Sequence, residues 1–196
     1  MDEALIRSAV EYVTGLFAAH ADGHDAGHTL RVYETARRLA ADTPGCDVTV
    51  AALAALLHDA DDPKLFDTAD NANARAFLSA HDVPPETAAR VLRAIRAVSF
   101  SANRGRHPDT PEGRVVQDAD RLDAIGAIGI ARTFAYGGSR GRSLEESVRH
   151  FYDKLLLLRD ELNTLAAREL ARRRHAFLLA FLDELAEETG MGKNEK

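Results

Sequence analysis

The segment Val50-Ala51-Ala52-Leu53-Ala54-Ala55-Leu56-Leu57-His58-Asp59-Ala60 constrains this chain more than any other. Asp47 or Thr49 stands where a helix N-cap belongs, and Val50 to about Ala60 reads as a helix that is apolar nearly all round. A helix without a polar face must be surrounded, so the rest of the chain has to wrap it. That wrapping is helical as well. Leu5, Ile6, Ala9, Val10, Val13, Leu16 and Phe17 repeat at helical spacing through residues 2–19. Val32, Ala36, Leu39 and Ala40 do so through a helix capped by Asp25 and stopped after Ala41 by Thr43-Pro44-Gly45. A weaker pattern covers 68–80, and Pro84-Pro85 opens a helix over 85–98. Ser99 to Gly113 reads as a loop. Helix resumes over 112–136 and stops at Gly137-Gly138. Ser143-Leu144-Glu145-Glu146 is a capping-box pattern opening a long helical region to about Glu188, with Asn163-Thr164 its candidate interruption. No stretch sustains period-two alternation, and there is no repeat or linker. The expected fold is all-α: one domain, a helical bundle over 1–189, with a frayed tail at 190–196.

Composition narrows the chemistry. One cysteine, Cys46, excludes a disulfide framework and a thiolate-rich zinc site, and suits a reducing compartment. Met1-Asp2-Glu3 is too acidic for a secretory or mitochondrial leader. No apolar run approaches the roughly 18 residues of a membrane span. The expectation is a cytoplasmic protein without a membrane partner. The balance of 25 Lys and Arg against 31 Asp and Glu, a net charge of −6, speaks against long nucleic acids as ligands. Eight His beside one Cys mean that a bound metal would have nitrogen and oxygen ligands.

Three His-Asp dipeptides occur, and their surroundings separate them. His58-Asp59 ends the buried helix, where two polar side chains are costly unless paired or bound to a cation. His81-Asp82 ends a polar helix and reads as an exposed helix terminus. In His24-Asp25 the acid is explained as a cap. His28 lies in the first turn of that capped helix, with Arg31 on the same side. Downstream, Asp118, Asp120 and Asp123 fall inside one apolar helix. Val116, Ala119, Leu122 and Ile125 share much of the Asp120 side, so Asp120 needs a partner, and a cation is the natural one. Taken singly, each feature also has an ordinary reading as a satisfied histidine or a solvated acidic face.

The order of these elements resembles the HD superfamily of metal-dependent phosphohydrolases, in particular its small stand-alone bacterial members. The segments that carry the resemblance are Gly-His-Asp-Ala-Gly-His-Thr-Leu-Arg-Val (23–32), Leu-Leu-His-Asp-Ala-Asp-Asp-Pro-Lys (56–64), Val-Ser-Phe-Ser (98–101), Val-Gln-Asp-Ala-Asp-Arg-Leu-Asp-Ala-Ile-Gly-Ala-Ile-Gly-Ile-Ala-Arg-Thr-Phe (116–134) and His-Phe-Tyr-Asp-Lys-Leu (150–155). It implies an all-α HD-type bundle with His28, His58, Asp59 and Asp120 as ligands of one divalent ion. Asp120 is chosen over Asp118 and Asp123 because it directly precedes Arg121-Leu122. Two imidazoles and two carboxylates suit Mn²⁺, Mg²⁺, Co²⁺, Ni²⁺, Fe²⁺ or Zn²⁺, and the resemblance implies Mn²⁺ foremost. Such an ion polarises a phosphoryl oxygen and acidifies water.

Asp62, one turn past Asp59, is the candidate to orient or deprotonate that water, with an exposed helix-end acid as the competing reading. Arg31 is the candidate charge beside the metal, with pairing to an acid as its alternative. Lys64, Arg121, Lys154 and His24 are candidate substrate contacts. The loops holding Arg104 and Arg106, and Arg140 and Arg142, are basic and glycine-rich; closure over a polyphosphate and plain solvation both stay open for them. Phe100 and Tyr136 are candidates to stack on a base or simply to pack. No Walker-type loop or nucleophile elbow occurs.

The resemblance implies hydrolysis of nucleotides, foremost a nucleoside or deoxynucleoside triphosphate to monophosphate and pyrophosphate. Nucleoside monophosphate phosphatase activity and a non-catalytic sensor of nucleotide or metal are the alternatives. A homodimer stays open, because the leucine run 155–158 suits either a partner chain or the core.

Overall fold

The computed structural model describes residues 2–18, 26–99, 103 and 105–190. Among these residues the chain forms nine α-helices and one 3₁₀ helix, with no strand, as an all-α bundle requires. The chain divides into two compact units, Met1–Asp120 and Arg121–Lys196.

The first unit is built around the apolar segment. Helices α1 (Glu3–Leu16), α2 (Ala26–Ala41), α3 (Val48–Leu57), α4 (Ala72–Ala80) and α5 (Pro85–Arg96) belong to it, with most of α6 (Pro111–Asp123). Helix α3 packs against α1, α2 and α5, and every residue from Val50 to Leu57 is fully buried. Burying one such leucine contributes about 1.5–3 kcal/mol, so α3 anchors the core of this unit. Asp47 caps it, accepting from the backbone N–H groups of Thr49 and Val50 at 3.0 and 3.2 Å. Helix α1 starts the same way, on Asp2.

The second unit holds α7 (Gly126–Ser139), α8 (Leu144–Asp153), the 3₁₀ helix Leu155–Glu161 and α9 (Leu165–Thr189). The Ser143–Glu146 capping box is formed, and Thr164 caps α9. Phe134, Phe151 and Phe181 form a ring cluster with centroids 5.8–6.1 Å apart. Leu155 and Leu158 are buried, whereas Leu157 stays 41% exposed. No helix among the described residues is long and apolar enough to cross a membrane.

The continuous helix expected over 112–136 is two helices. The chain breaks at Ala124-Ile125, and Gly126 takes φ +80°, a conformation that disfavours any side chain. The Arg174 stem lies against Gly126, and its guanidinium donates to the Leu122 carbonyl. The other end of α7 also differs: Gly137 and Gly138 lie inside its last turn, and the helix ends at Ser139 before Gly141 in the left-handed region.

The return of the chain after the break is close. A Cβ on Gly129 would stand 2.2 Å from the Ala124 carbonyl oxygen, which is backbone and has no easy way to yield. Gly129→Ala is therefore expected to destabilise by about 1–3 kcal/mol. Gly138→Ala, with nothing within 4 Å of the added carbon, is expected to keep or raise the melting temperature. Calorimetry of the two variants tests the contrast.

Candidate metal centre

Residues from three separate stretches meet within the first unit. His28, 2% exposed, projects from the first turn of α2. His58 directly follows α3 and keeps helical backbone angles, so the buried helix delivers its ring; Asp59 comes next. Asp120 comes from α6. The Asp59 carboxylate faces both rings, Oδ1 3.3 Å from His58 Nε2 and Oδ2 3.5 Å from His28 Nε2. Asp120 Oδ1 lies 3.4 Å from His28 Nε2 and 3.9 Å from His58 Nε2. The two rings meet edge to face with centroids 5.3 Å apart.

The tautomer of His58 decides what this arrangement can hold. Its Nδ1 lies 2.8 Å from the Ala55 carbonyl, which can only accept, so Nδ1 carries the proton. In the neutral ring Nε2 then presents a lone pair. It is buried, has no hydrogen-bond partner, and faces carboxylate oxygens. Acceptors facing acceptors in a buried site need a cation between them. One donor atom each from His28, His58 and Asp120 lie within 4.8 Å of one another, a span that small side-chain rotations bring to coordination distance. The Ala55 carbonyl fixes the His58 tautomer as outer hydrogen bonds do in metal sites. The residues present therefore fit a divalent ion.

The three acids of α6 have three fates. Asp120 faces the histidines, Asp118 is fully buried, and Asp123 pairs with Arg132 at 2.7 Å. A residue that sequence reasoning passed over sets the other end of this helix. Glu112, 4% exposed, accepts from the Asp47 backbone N–H at 3.0 Å and from Arg90 at 2.7 Å, while Arg90 also pairs with Asp47. The start of α6 is thus tied to the start of α3, and the far ends of the same two helices carry Asp120 and His58. An acid just after proline in a first helical turn reads as an ordinary favourable charge at a helix N-terminus, so only its burial reveals the tie.

The remaining candidates are placed as follows. Arg31 is partly buried one turn beyond His28. Asp62 Oδ1 accepts from the Lys64 backbone N–H at 2.8 Å, and Lys64 itself is exposed. In the second unit, Arg121 is 2% exposed, with its guanidinium on the Glu161 carbonyl and 3.1 Å from the Glu161 carboxylate. It thus ties the end of the 3₁₀ helix, a structural role the sequence reading did not weigh. Lys154 is the partly buried C-cap of α8. Arg140 and Arg142 lie over the Tyr136 ring, 5.3 and 5.1 Å from its centroid, and Arg106 is exposed. His81 stacks on Phe77 at the exposed end of α4. His24, Asp25, Phe100, Arg104 and residues 191–196 lie outside the described residues.

Cys46 is half-buried, and burial, with Glu112 and Asp47 nearby, pushes its thiol pKa up to about 12. The thiolate is essentially absent at neutral pH, which argues against a nucleophilic role. Iodoacetamide at pH 7 is expected to alkylate the native protein far more slowly than the unfolded chain, as followed by mass spectrometry.

Residues 25–125 match the family model of the HD domain, and the chain belongs to this family. HD domains bind divalent metals. Among its relatives, the Bacillus subtilis protein YpgQ is 40% identical over 183 residues, covering 89% of this chain and 88% of YpgQ. A crystal structure of YpgQ in complex with ADP superposes with a TM-score of 0.79 at 37% identity, covering 92% of this chain and 97% of that one. An HD-superfamily hydrolase from Bacillus thuringiensis gives a TM-score of 0.79 at 36% identity, covering 98% and 100%.

Proposed function

We propose that this chain is a metal-dependent phosphohydrolase of nucleotides, foremost cleaving a nucleoside or deoxynucleoside triphosphate to the monophosphate and pyrophosphate. The observation that carries the reading is the buried, unpartnered His58 Nε2 facing the Asp59 and Asp120 carboxylates. The ADP held by YpgQ supports a nucleotide as the ligand class. His28, His58, Asp59 and Asp120 are the residues that would hold the ion, a two-imidazole, two-carboxylate set that suits Mn²⁺ among other divalent ions. A divalent cation supplies phosphoryl polarisation and water acidification there. The chain's own groups do the rest. Water oxygen bonds to the α-phosphorus, the bond from that phosphorus to the bridging oxygen breaks, and pyrophosphate leaves. Asp62 takes the water's proton, and its engagement with the Lys64 backbone N–H orients the carboxylate. Arg31 and Lys64 offset phosphate charge. The single half-buried cysteine suits a cytoplasmic setting.

A panel of nucleoside mono-, di- and triphosphates with Mn²⁺, assayed separately for phosphate and pyrophosphate, tests the reading. Pyrophosphate with monophosphate is the expected product pair. Phosphate released from monophosphates would make it a nucleotidase instead. Thermal stabilisation by nucleotides without any product would make it a sensor. Turnover that survives EDTA would overturn the metal-dependent mechanism.

A further inference from the structure

The carboxylate that faces both imidazoles sits on a weak piece of backbone. Helix α3 ends at Leu57, and residues 58–61 are turns, closed by single bonds such as Ala60 N–H to the Leu57 carbonyl at 3.2 Å and Asp62 N–H to the Asp59 carbonyl at 3.1 Å. A helix C-terminus of this kind frays unless something outside it holds it.

The start of α4 meets this turn. The Asp61 carboxylate accepts from the backbone N–H groups of Asn73 and Ala74 at 2.9 and 3.1 Å, using one oxygen for each. The Asn73 side-chain amide returns a bond to the Ala60 carbonyl at 2.7 Å. The Asn73 carbonyl accepts from the Tyr12 hydroxyl at 3.3 Å, which links α1 to the same junction.

The way the chain enters α4 shows that this junction is specified. Asn71 stands at the N-cap but has φ 55°, and its side chain makes no capping bond. Asp70 before it has φ 52°. Two successive non-glycine residues in the left-handed region are unfavourable and persist only where their surroundings impose them. Arg75 braces the kink, donating to the Asp70 carbonyl at 2.8 Å and pairing with its carboxylate at 3.0 Å. Helix α4 thus gives up a local cap, and Asp61, ten residues before Asn71, supplies one from the turn that carries Asp59.

We propose that Asp61 and Asn73 are positioning residues of the metal centre. By docking the N-terminus of α4 onto the 58–61 turn, they hold the Asp59 carboxylate against both imidazoles. The inference rests on the metal reading given above and adds a pair of residues that touch neither imidazole.

Mn²⁺ titration of the purified full chain by calorimetry, with melting of the metal-free proteins alongside, tests it. Asp61→Ala is expected to weaken Mn²⁺ binding by about 10- to 100-fold, the range for lost outer-shell partners. Asn73→Ala, which keeps its backbone N–H but loses the bond to Ala60, is expected to weaken it as well. Asp61→Asn retains one acceptor oxygen and is expected to lose less than Asp61→Ala. Asp2→Ala removes a comparable cap from α1 and is expected to lower melting while leaving Mn²⁺ affinity unchanged. If Asp61→Ala does not fold, Asn73→Ala and Asp61→Asn decide the matter. Folded Asp61 and Asn73 variants that bind Mn²⁺ as tightly as the unsubstituted chain would overturn the inference and leave the metal reading standing. An unsubstituted chain that takes up no Mn²⁺ would overturn the metal reading itself, and this inference with it.

Discussion

Asp120→Ala is expected to lower kcat/KM for nucleotide hydrolysis by about 10³-fold and to abolish tight Mn²⁺ uptake. The magnitude follows from losing an electrophile worth several kcal/mol, at about 1.4 kcal/mol for each factor of ten. The variant takes away the oxygen that lies 3.4 Å from His28 Nε2 and 3.9 Å from His58 Nε2. Asp123→Asn is the informative control. Asp123 lies three residues on in α6, but its carboxylate belongs to Arg132. Its loss is expected to lower the melting temperature while leaving kcat near normal, because a largely buried ion pair is broken away from the chemistry. Ligands of one ion act as a unit, so Asp120→Ala combined with His58→Ala is expected to cost little more activity than either alone. Equal kinetic defects in Asp123→Asn and Asp120→Ala would remove the case for Asp120 as a ligand. Steady-state kinetics and metal analysis of the same preparations measure all of this.

Chelation is expected to act on stability as well as on turnover. An ion present at one hundred times its dissociation constant stabilises the folded state by about 2.7 kcal/mol. For a chain of this size each kcal/mol moves the melting temperature by about 2–4 °C. EDTA is therefore expected to lower the melting temperature by about 5–10 °C and to stop hydrolysis, and Mn²⁺ in excess of the chelator to restore both. The physical reason is local. Without the ion, the buried His58 lone pair faces carboxylate oxygens with nothing to offset it. In Asp120→Ala the EDTA-induced shift should disappear. A shift of equal size in that variant would mean that the stabilising ion binds elsewhere.

Much of this was legible in the residues. An all-apolar run from Val50 to Leu57 has to become a buried helix, because no other placement removes so much surface from water, and the structure buries every one of its residues. A His-Asp pair at the end of such a helix cannot be left unpartnered, which singled out His58 and Asp59 from two other His-Asp dipeptides. The Ser143–Glu146 capping box was readable, and the cap of α3 was narrowed to Asp47 or Thr49, because each is a local contact within two or three residues in sequence; the structure chose Asp47. The break between α6 and α7 was harder to see. Apolar residues continue at helical spacing across Ala124-Ile125, and only the positive φ of Gly126, with Arg174 against it, shows the interruption.

The sequence by itself determined that the chain is helical, which helix is buried, and which residue types a metal would meet. Those properties depend on local spacing and on the cost of leaving apolar or charged groups in the wrong surroundings. Tertiary structure alone decided which atoms face one another. It turned Asp120 to the histidines and Asp123 to Arg132, and it enlisted Glu112 as a tie between the starts of α3 and α6. It also gave the cap of α4 to Asp61 rather than to Asn71. The physical reason is the same throughout. A carboxylate in a sequence has the same chemistry at every position, and only the fold determines which donor or cation is within reach of it.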